Sequence, residues 1–463
     1  MGKNRSNRAD EPSLGRLQGL TRNKDTKIHF IGIGGVSMYS LAHLMLKQGL
    51  FVSGSDREAS ERTKKLSDIG ARITIGHSRE NILGADLVIY THGIDSENPE
   101  LIAARELGIP TVSRARLLGA LMMNYRRRIG VSGTHGKSTT TAMLDCIFYG
   151  EEATPTVLSG ADLPCGEPYR IGSTDLMIYE ACEYKDSFLN FLPTAAIALN
   201  LEFDHPDYFG DINVLKHSFT KALSRASEFA LISGDDENLM AIRDKIKARV
   251  ITFGRGEGND YRYKIVGYLD RGCNFRVYKD GSALGDFTLN IPGDFNVANA
   301  TAAIAVATES GICAENIAKR LAAFRGIDRR LQYIGKRHGR EIYYDYAHHP
   351  TEIYASINAL KMLTRSPLTV IFKPHTFSRT KSLWNEMCMA LSLADYLILT
   401  DIYPAREEPI PLVTSERLAG NIGNGAIYCA DEDVTLALDF YTKGAVVIMG
   451  AGDLERIKNE VIK

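Results

Sequence analysis

Gly133-Thr134-His135-Gly136-Lys137-Ser138-Thr139 sets a lysine and two hydroxyls directly behind a glycine-bounded loop. A lysine there reaches the β- and γ-phosphates of a nucleotide, and Ser138 or Thr139 can ligate Mg²⁺. Gly133 and Gly136 let backbone N–H groups close on anions. The usual spacing, G-x-x-x-x-G-K-[ST], asks for a further glycine where Val131 stands, so this loop is a shortened form. Downstream, Glu180, Glu183, Asp204 and His205 lie at or just past the ends of two apolar runs. Carboxylates with phosphate oxygens and water make a Mg²⁺ site, and phosphoryl transfer from ATP needs that neutralisation of charge.

Two other groups of residues carry chemistry. Gly32-Ile33-Gly34-Gly35-Val36-Ser37 approximates the dinucleotide pattern G-x-G-x-x-G, with Ser37 in place of the third glycine. Its glycines would bring N–H groups to a diphosphate at a helix N-terminus, and Asp56 would accept from a ribose hydroxyl. Near the C-terminus, "YYDYAHHP" supplies Asp345, His348 and His349, and "KPHTFSRT" supplies His375 and Arg379. Histidines beside a proline on a strand-end loop are poor core material, and Arg379 can clamp a carboxylate with two parallel hydrogen bonds. Arg329 and Arg330, by themselves, read as a surface feature.

These groups need strands to aim them. "KIHFIGIGGVSMYSLAHLMLKQGLFVSGSD" reads strand, glycine turn, helix, strand; "RRRIGVSGTHGKSTTTAMLDCIF" starts a second such unit and "EIYYDYAHHPTEI" a third. The predicted fold class is therefore α/β, with three consecutive domains: a Rossmann-like unit at 27–124, a P-loop ATPase-like central unit at 125–328 and a Rossmann-like unit at 329–463. A chain of 463 residues fits about three domains. Residues 1–26 are polar and basic, lack the apolar stretch of a signal peptide, and are expected to form a disordered tail.

Lys and Arg number 55 against 56 Asp and Glu, giving a net charge of -1 and no basic field for nucleic acid. No run approaches the roughly 18 apolar residues of a membrane span. Seven scattered cysteines without a C-x-x-C pair suit reduced thiols in the cytoplasm.

In order along the chain these pieces resemble the Mur ligase family, over residues 27 to 463. The segments that carry the resemblance are "HFIGIGGVSM", "SGSD", "GTHGKSTTTAM", "EACEYKDSFL", "NLEFDH", "PGDFNVANATAA", "FRGIDRRLQ", "DYAHHPTEI", "PHTFSRT", "LTDIYPAREEP" and "MGAGD". The HHPTE and DIYPAREEP stretches are similar to the alanine-adding branch and to its relative that recycles murein tripeptide. The resemblance implies an ATP- and Mg²⁺-dependent ligase that joins L-alanine to the carboxylate of UDP-N-acetylmuramate, in peptidoglycan precursor synthesis. It implies that Gly32, Gly34, Gly35, Ser37, Ser55 and Asp56 hold the UDP-sugar. It assigns ATP to Gly133, Thr134, His135, Gly136, Lys137, Ser138, Thr139, Asn296, Asn299, Arg330 and Asp345. Ser138 and Glu180 would hold a first Mg²⁺ and His205 a second, while His348, His375 and Arg379 would face the alanine and its carboxylate. The catalytic set so implied is Lys137, Glu180, His205, His348 and Arg379.

The chain departs from the family pattern at Phe295, where many relatives carry an adenine-side histidine, and at Thr220, near where some carry a carbamylated lysine. A tripeptide-recycling ligase and a non-catalytic nucleotide-binding paralogue stay open at this level. A nicotinamide dehydrogenase, read from the first loop alone, leaves the second loop and the HHP stretch without a role. None of the motifs defines an oligomeric state.

Overall fold

Apolar runs of four to six residues, each ending in a glycine or polar turn, become strands buried on both faces, as parallel sheets require. The computed structural model describes residues 12–91, 93–150, 154–173, 175–405 and 407–462. Among these, three sheets follow one another along the chain.

The first is fully parallel, in the spatial order Arg72–Ile75, Phe51–Asp56, Lys27–Ile31, Leu87–Tyr90, Thr111–Ser113. The chain reverses direction of growth at Lys27–Ile31, so the Gly32 loop lies at the switch point where such sheets bind ligands. The ten-stranded second sheet has Arg127–Ser132 inside it, flanked by Ala195–Ala198 and Leu176–Glu180. Three antiparallel strands, Tyr261–Leu269, Gly272–Lys279 and Ser282–Leu289, extend one edge. The third sheet runs Gln332–Arg337, Arg340–Asp345, Ala445–Gly450, Leu368–Lys373, Tyr396–Leu399, Ile427–Tyr428, with only its first pair antiparallel.

One apolar core joins the first and second sheets. Helix Arg114–Met122 lies so close to the segment Tyr184–Asn190 that a Cβ on Gly119 would meet the Asn190 carbonyl oxygen at 2.3 Å. Glu167 of the central domain adds polar ties, accepting from Tyr39 (3.1 Å) and Lys65 (2.7 Å). No described helix is long and apolar enough to cross a membrane.

The expected N-terminal tail needs correction. Residues 1–11 lie outside the described residues, but Leu14–Arg22 is a helix capped by the Ser13 side chain. Leu14, Leu17 and Thr21 recur at helical spacing; Leu17 and Thr21 are buried and Leu14 packs partly against the core. Gln18 and Arg22 both donate to Asn124 (3.0 and 2.8 Å), and Arg116 donates to the Pro12 carbonyl (2.8 Å). The local composition is polar, but helix Arg114–Met122 offers an apolar partner that only the fold brings near.

Candidate active site

The central strand Arg127–Ser132 ends in a loop that turns on Gly133 (φ 137°) and Gly136 (φ 83°) and feeds helix Lys137–Phe148. Both glycines occupy the left-handed region that side chains disfavour. The side-chain oxygen of Asn200 accepts from the His135 N–H (2.8 Å), pinning the loop to the neighbouring strand end. Gly136 has a second constraint, because a Cβ there would sit 2.5 Å from Asn299 Oδ1. Lys137 Nζ donates to the Gly133 and Thr134 carbonyls (2.5 and 3.1 Å) and to both oxygens of Glu183 (3.2 Å). Burial would lower the Lys137 pKa, but the facing Glu183 carboxylate reverses this and leaves it raised.

The acids at the strand ends divide the work. Glu180 accepts from Ser159 Oγ (2.9 Å) and the Gly160 N–H (2.6 Å). Glu183 faces Lys137 on one side and His205 Nε2 (3.7 Å) on the other. His205 has left-handed backbone (φ 56°), and its ring lies 4.7 Å from that of Tyr184. Asp204 is taken by the C-terminal domain: Arg379 donates to it at 3.0, 3.1 and 3.2 Å. Thr220 spends its hydroxyl on the Lys216 carbonyl (2.8 Å).

Between the central and C-terminal domains lies a cavity of about 180 Å³. His135, Gly136, Thr139, Asn296, Asn299, Arg330 and Asp345 line it, with Phe253, Ile291, Phe295 and Ile327 as its apolar part. Such a wall of flat apolar contacts and few polar groups suits a nucleotide base and sugar. Asn299 donates to Asn296 (3.2 Å), which donates to the Pro292 carbonyl (2.7 Å), fixing both amides. Burial pushes Asp345 up to about 6, although Ser356 donates to its carboxylate. Arg330 stacks over the Tyr346 ring (5.2 Å) with Nη1 3.6 Å from Glu352.

His348 and His375 face each other with ring centres 6.0 Å apart. Burial holds His348 down at about 3 against the pull of Glu352, and burial with the adjacent Arg379 holds His375 down at about 4. Both are therefore neutral. His348 Nδ1 donates to the Tyr346 carbonyl (2.9 Å), and His375 Nδ1 accepts from Arg379 (2.9 Å).

In the first domain the Gly34 N–H donates to Asp56 (2.8 Å), and Gly35 caps helix Val36–Lys47, whose first turn contains Ser37. Gly32 turns with φ 77°. Ser55 departs from expectation. Its side chain is fully buried, donates to Glu100 (2.7 Å) and contacts His77 (3.1 Å), while its carbonyl accepts from Gly32 and Ile33. It faces helix Pro99–Glu106 and not the crevice, so it supports the loop from behind.

Several participants escaped the sequence reading. Glu202 and Glu352 bracket His135: Nε2 lies 3.4 Å from Glu202 and Nδ1 3.1 Å from Glu352. Both acids stand inside the quoted "NLEFDH" and "DYAHHPTEI" segments, but nothing in the spacing links them to the loop. Burial opposes the charge on His135, yet these two carboxylates raise it to about 9. Arg114, half-buried near Cys182 and Glu180 at the start of its helix, is a further cation beside this site.

Three family models match the chain in succession: "Mur ligase family, catalytic domain" over residues 27–126, "Mur ligase middle domain" over 131–307 and "Mur ligase, glutamate ligase domain" over 329–452. A UDP-N-acetylmuramate–L-alanine ligase of Acetivibrio thermocellus is 40% identical over 461 residues, which cover 97% of this chain and 98% of the relative. One of Clostridium novyi is 39% identical over 445 residues, covering 94% and 97%. The crystal structure of a UDP-N-acetylmuramate-alanine ligase of Thermotoga maritima superposes with a TM-score of 0.80 at 27% identity, covering 94% of this chain and 98% of that one. With three family domains matched in order and relatives of this identity along nearly its whole length, the chain belongs to the Mur ligase family.

Proposed function

We propose that this chain uses ATP to join L-alanine to the carboxylate of UDP-N-acetylmuramate, as the activity named for its relatives suggests. The observation that carries the reading is the cavity that has His135, Gly136 and Thr139 of the phosphate loop on one side and Arg330 and Asp345 of the C-terminal domain on the other. A carboxylate is a weak nucleophile and hydroxide a poor leaving group, so direct amide formation in water is unfavourable. Attack of the muramate carboxylate on the γ-phosphate forms an acyl phosphate and ADP. The amine of alanine then attacks the acyl carbon, and phosphate leaves.

Lys137 would follow the charge onto the transferring phosphoryl group, exchanging its loop carbonyls for phosphate oxygens. Asn296, Asn299, Arg330 and Asp345 would hold the nucleotide, and Gly32, Gly34, Gly35, Ser37 and Asp56 the UDP-sugar. Neutral His348, with Nδ1–H on the Tyr346 carbonyl, keeps a lone pair on Nε2 to accept a hydrogen bond from the amine, and His375, with Nδ1 taken by Arg379, presents an Nε2–H donor. The seal between central and C-terminal domains keeps water from the acyl phosphate.

Ser138 and Glu180 would hold a first Mg²⁺ and the partly exposed His205 imidazole a second, with phosphate oxygens and water as the remaining ligands. When bound there, the cation supplies charge neutralisation at the γ-phosphate. The reaction belongs in the cytoplasm, in keeping with the seven free cysteines.

The test is an amine-donor panel: purified chain, ATP and UDP-N-acetylmuramate with either L-alanine or murein tripeptide, followed by phosphate release. Turnover with alanine is expected. Turnover with tripeptide and not with alanine overturns the assignment.

A further inference from the structure

Where the phosphate loop meets the C-terminal domain, three donor atoms face one another without a part in the reaction above. His135 Nε2 lies 3.4 Å from Glu202 Oε2, and His349 Nδ1 lies 3.6 Å from the same oxygen. All three ligand atoms fall within 4.8 Å of one another, and among the described residues no other group of three does so. Ligands about 2.0–2.1 Å from a tetrahedral ion stand about 3.4 Å apart, so two of the three spacings already suit one.

The outer nitrogens are also arranged for a metal. His135 Nδ1 is held by Glu352 Oε1 (3.1 Å), and His349 Nε2 donates to the Phe203 carbonyl (3.4 Å). Metal-bound histidines almost always give their second N–H to a carboxylate or carbonyl, which turns the other nitrogen's lone pair inward. Here that pattern occurs twice, on rings 4.8 Å apart, and an ion binding there would displace the second proton that Glu202 and Glu352 hold on His135. His135 Nε2 is buried and has no hydrogen-bond partner, because its approach to Glu202 has poor hydrogen-bond geometry. The competing contacts are a 3.4 Å donation from the Thr351 N–H to His349 Nδ1 and one from the Thr351 hydroxyl to Glu202.

We propose that His135, Glu202 and His349 form a site for a divalent transition ion of the zinc class, separate from the Mg²⁺ donors. Two imidazoles and one carboxylate are borderline ligands that select Zn²⁺ or Co²⁺ over Mg²⁺. A fourth position would open toward the nucleotide cavity, which His135 and Glu202 also line. The ligands come from the phosphate loop, the loop after strand Ala195–Ala198 and the C-terminal domain, so the ion pins the two domains together. It would therefore act as an inhibitor of opening.

Co²⁺ is the probe, since four-coordinate Co²⁺ absorbs visibly and Mg²⁺-type octahedral sites absorb weakly. The full chain should bind one equivalent with a four-coordinate spectrum that Zn²⁺ erases. That spectrum should survive His205→Ala and vanish in His349→Gln, and Glu352→Gln should weaken binding by about 10–100-fold. X-ray absorption on wild-type chain provides a reading that no folding defect can disturb, with two imidazoles expected in the Co²⁺ shell. No four-coordinate spectrum in the wild type, its retention in a folded His349→Gln, or an all-oxygen shell would each overturn the site.

Discussion

Arg379 of the C-terminal domain grips Asp204 of the central domain through three contacts of 3.0, 3.1 and 3.2 Å, with both side chains buried. The sequence reading gave Arg379 to the carboxylate of alanine; in this arrangement it holds a carboxylate of the chain itself. Burial alone would raise the Asp204 pKa, but Arg379, aided by His205, keeps it well below the usual carboxylate range. The pair is thus a latch between domains beside His205, which follows Asp204 in the chain and donates its N–H to it (2.7 Å).

Breaking one side of a buried pair strands a charge, at about 3–5 kcal/mol. Asp204→Asn and Arg379→Ala should each lower kcat/KM and thermal stability. The double variant should lose less than the sum, with a coupling of about 0.5–3 kcal/mol. Strict additivity in that cycle refutes the latch.

Lys137→Ala should cut the rate of ADP formation by about 10²–10³ or more, because it removes the cation nearest the transferring charge. UDP-sugar binding, measured by calorimetry without ATP, should persist. Glu183 would then be left buried with only His205 Nε2, 3.7 Å away, beside it, so Lys137→Ala, Glu183→Gln together should regain stability without regaining turnover. Unchanged turnover in the single variant would remove Lys137 from the reaction.

Stability should depend on pH through His135 with a definite sign. Its folded value is raised from 6.5 to about 9, so the stabilisation is complete below 6.5 and is lost as pH rises through 9. The loss amounts to up to roughly 3 kcal/mol. His348 and His375, held down at about 3 and 4, act oppositely: their contribution is complete above 6.5 and fades as pH falls toward those values. Melting temperatures of wild type and His135→Gln across this range provide the measurement. The difference between them should shrink above neutral pH; a constant difference contradicts the assignment.

Ser55→Ala separates structural from substrate roles. With the hydroxyl bonded to buried Glu100, its loss should destabilise the fold by about 1–3 kcal/mol while KM for the UDP-sugar stays within a few-fold. A KM increase of tenfold or more in a stably folded variant returns Ser55 to the crevice.

Much of this protein could be read from its residues in order. Strand, turn and helix recur three times, the first two on glycine loops, because short apolar runs and left-handed glycines have few other conformations to adopt. The Gly133–Thr139 loop was legible because it joins a strand to a helix, and Glu180 because it ends the neighbouring strand. The N-terminal helix was hidden, since its three inward positions lie in a polar segment and need a partner about a hundred residues away. The direction of the Ser55 side chain is not legible in the motif, which names a strand end, while the pleat and the covering helix decide which face a side chain takes.

Local sequence therefore determined the elements, their order and the chemistry they carry. Tertiary structure alone decided which charges meet: Arg379 with Asp204, and His135 with Glu202 and Glu352. Those partners lie 175, 67 and 217 positions apart in the chain. Their pairing depends on how the third domain docks on the second, and electrostatic interactions of this kind act over ångströms of space, without regard to distance along the backbone.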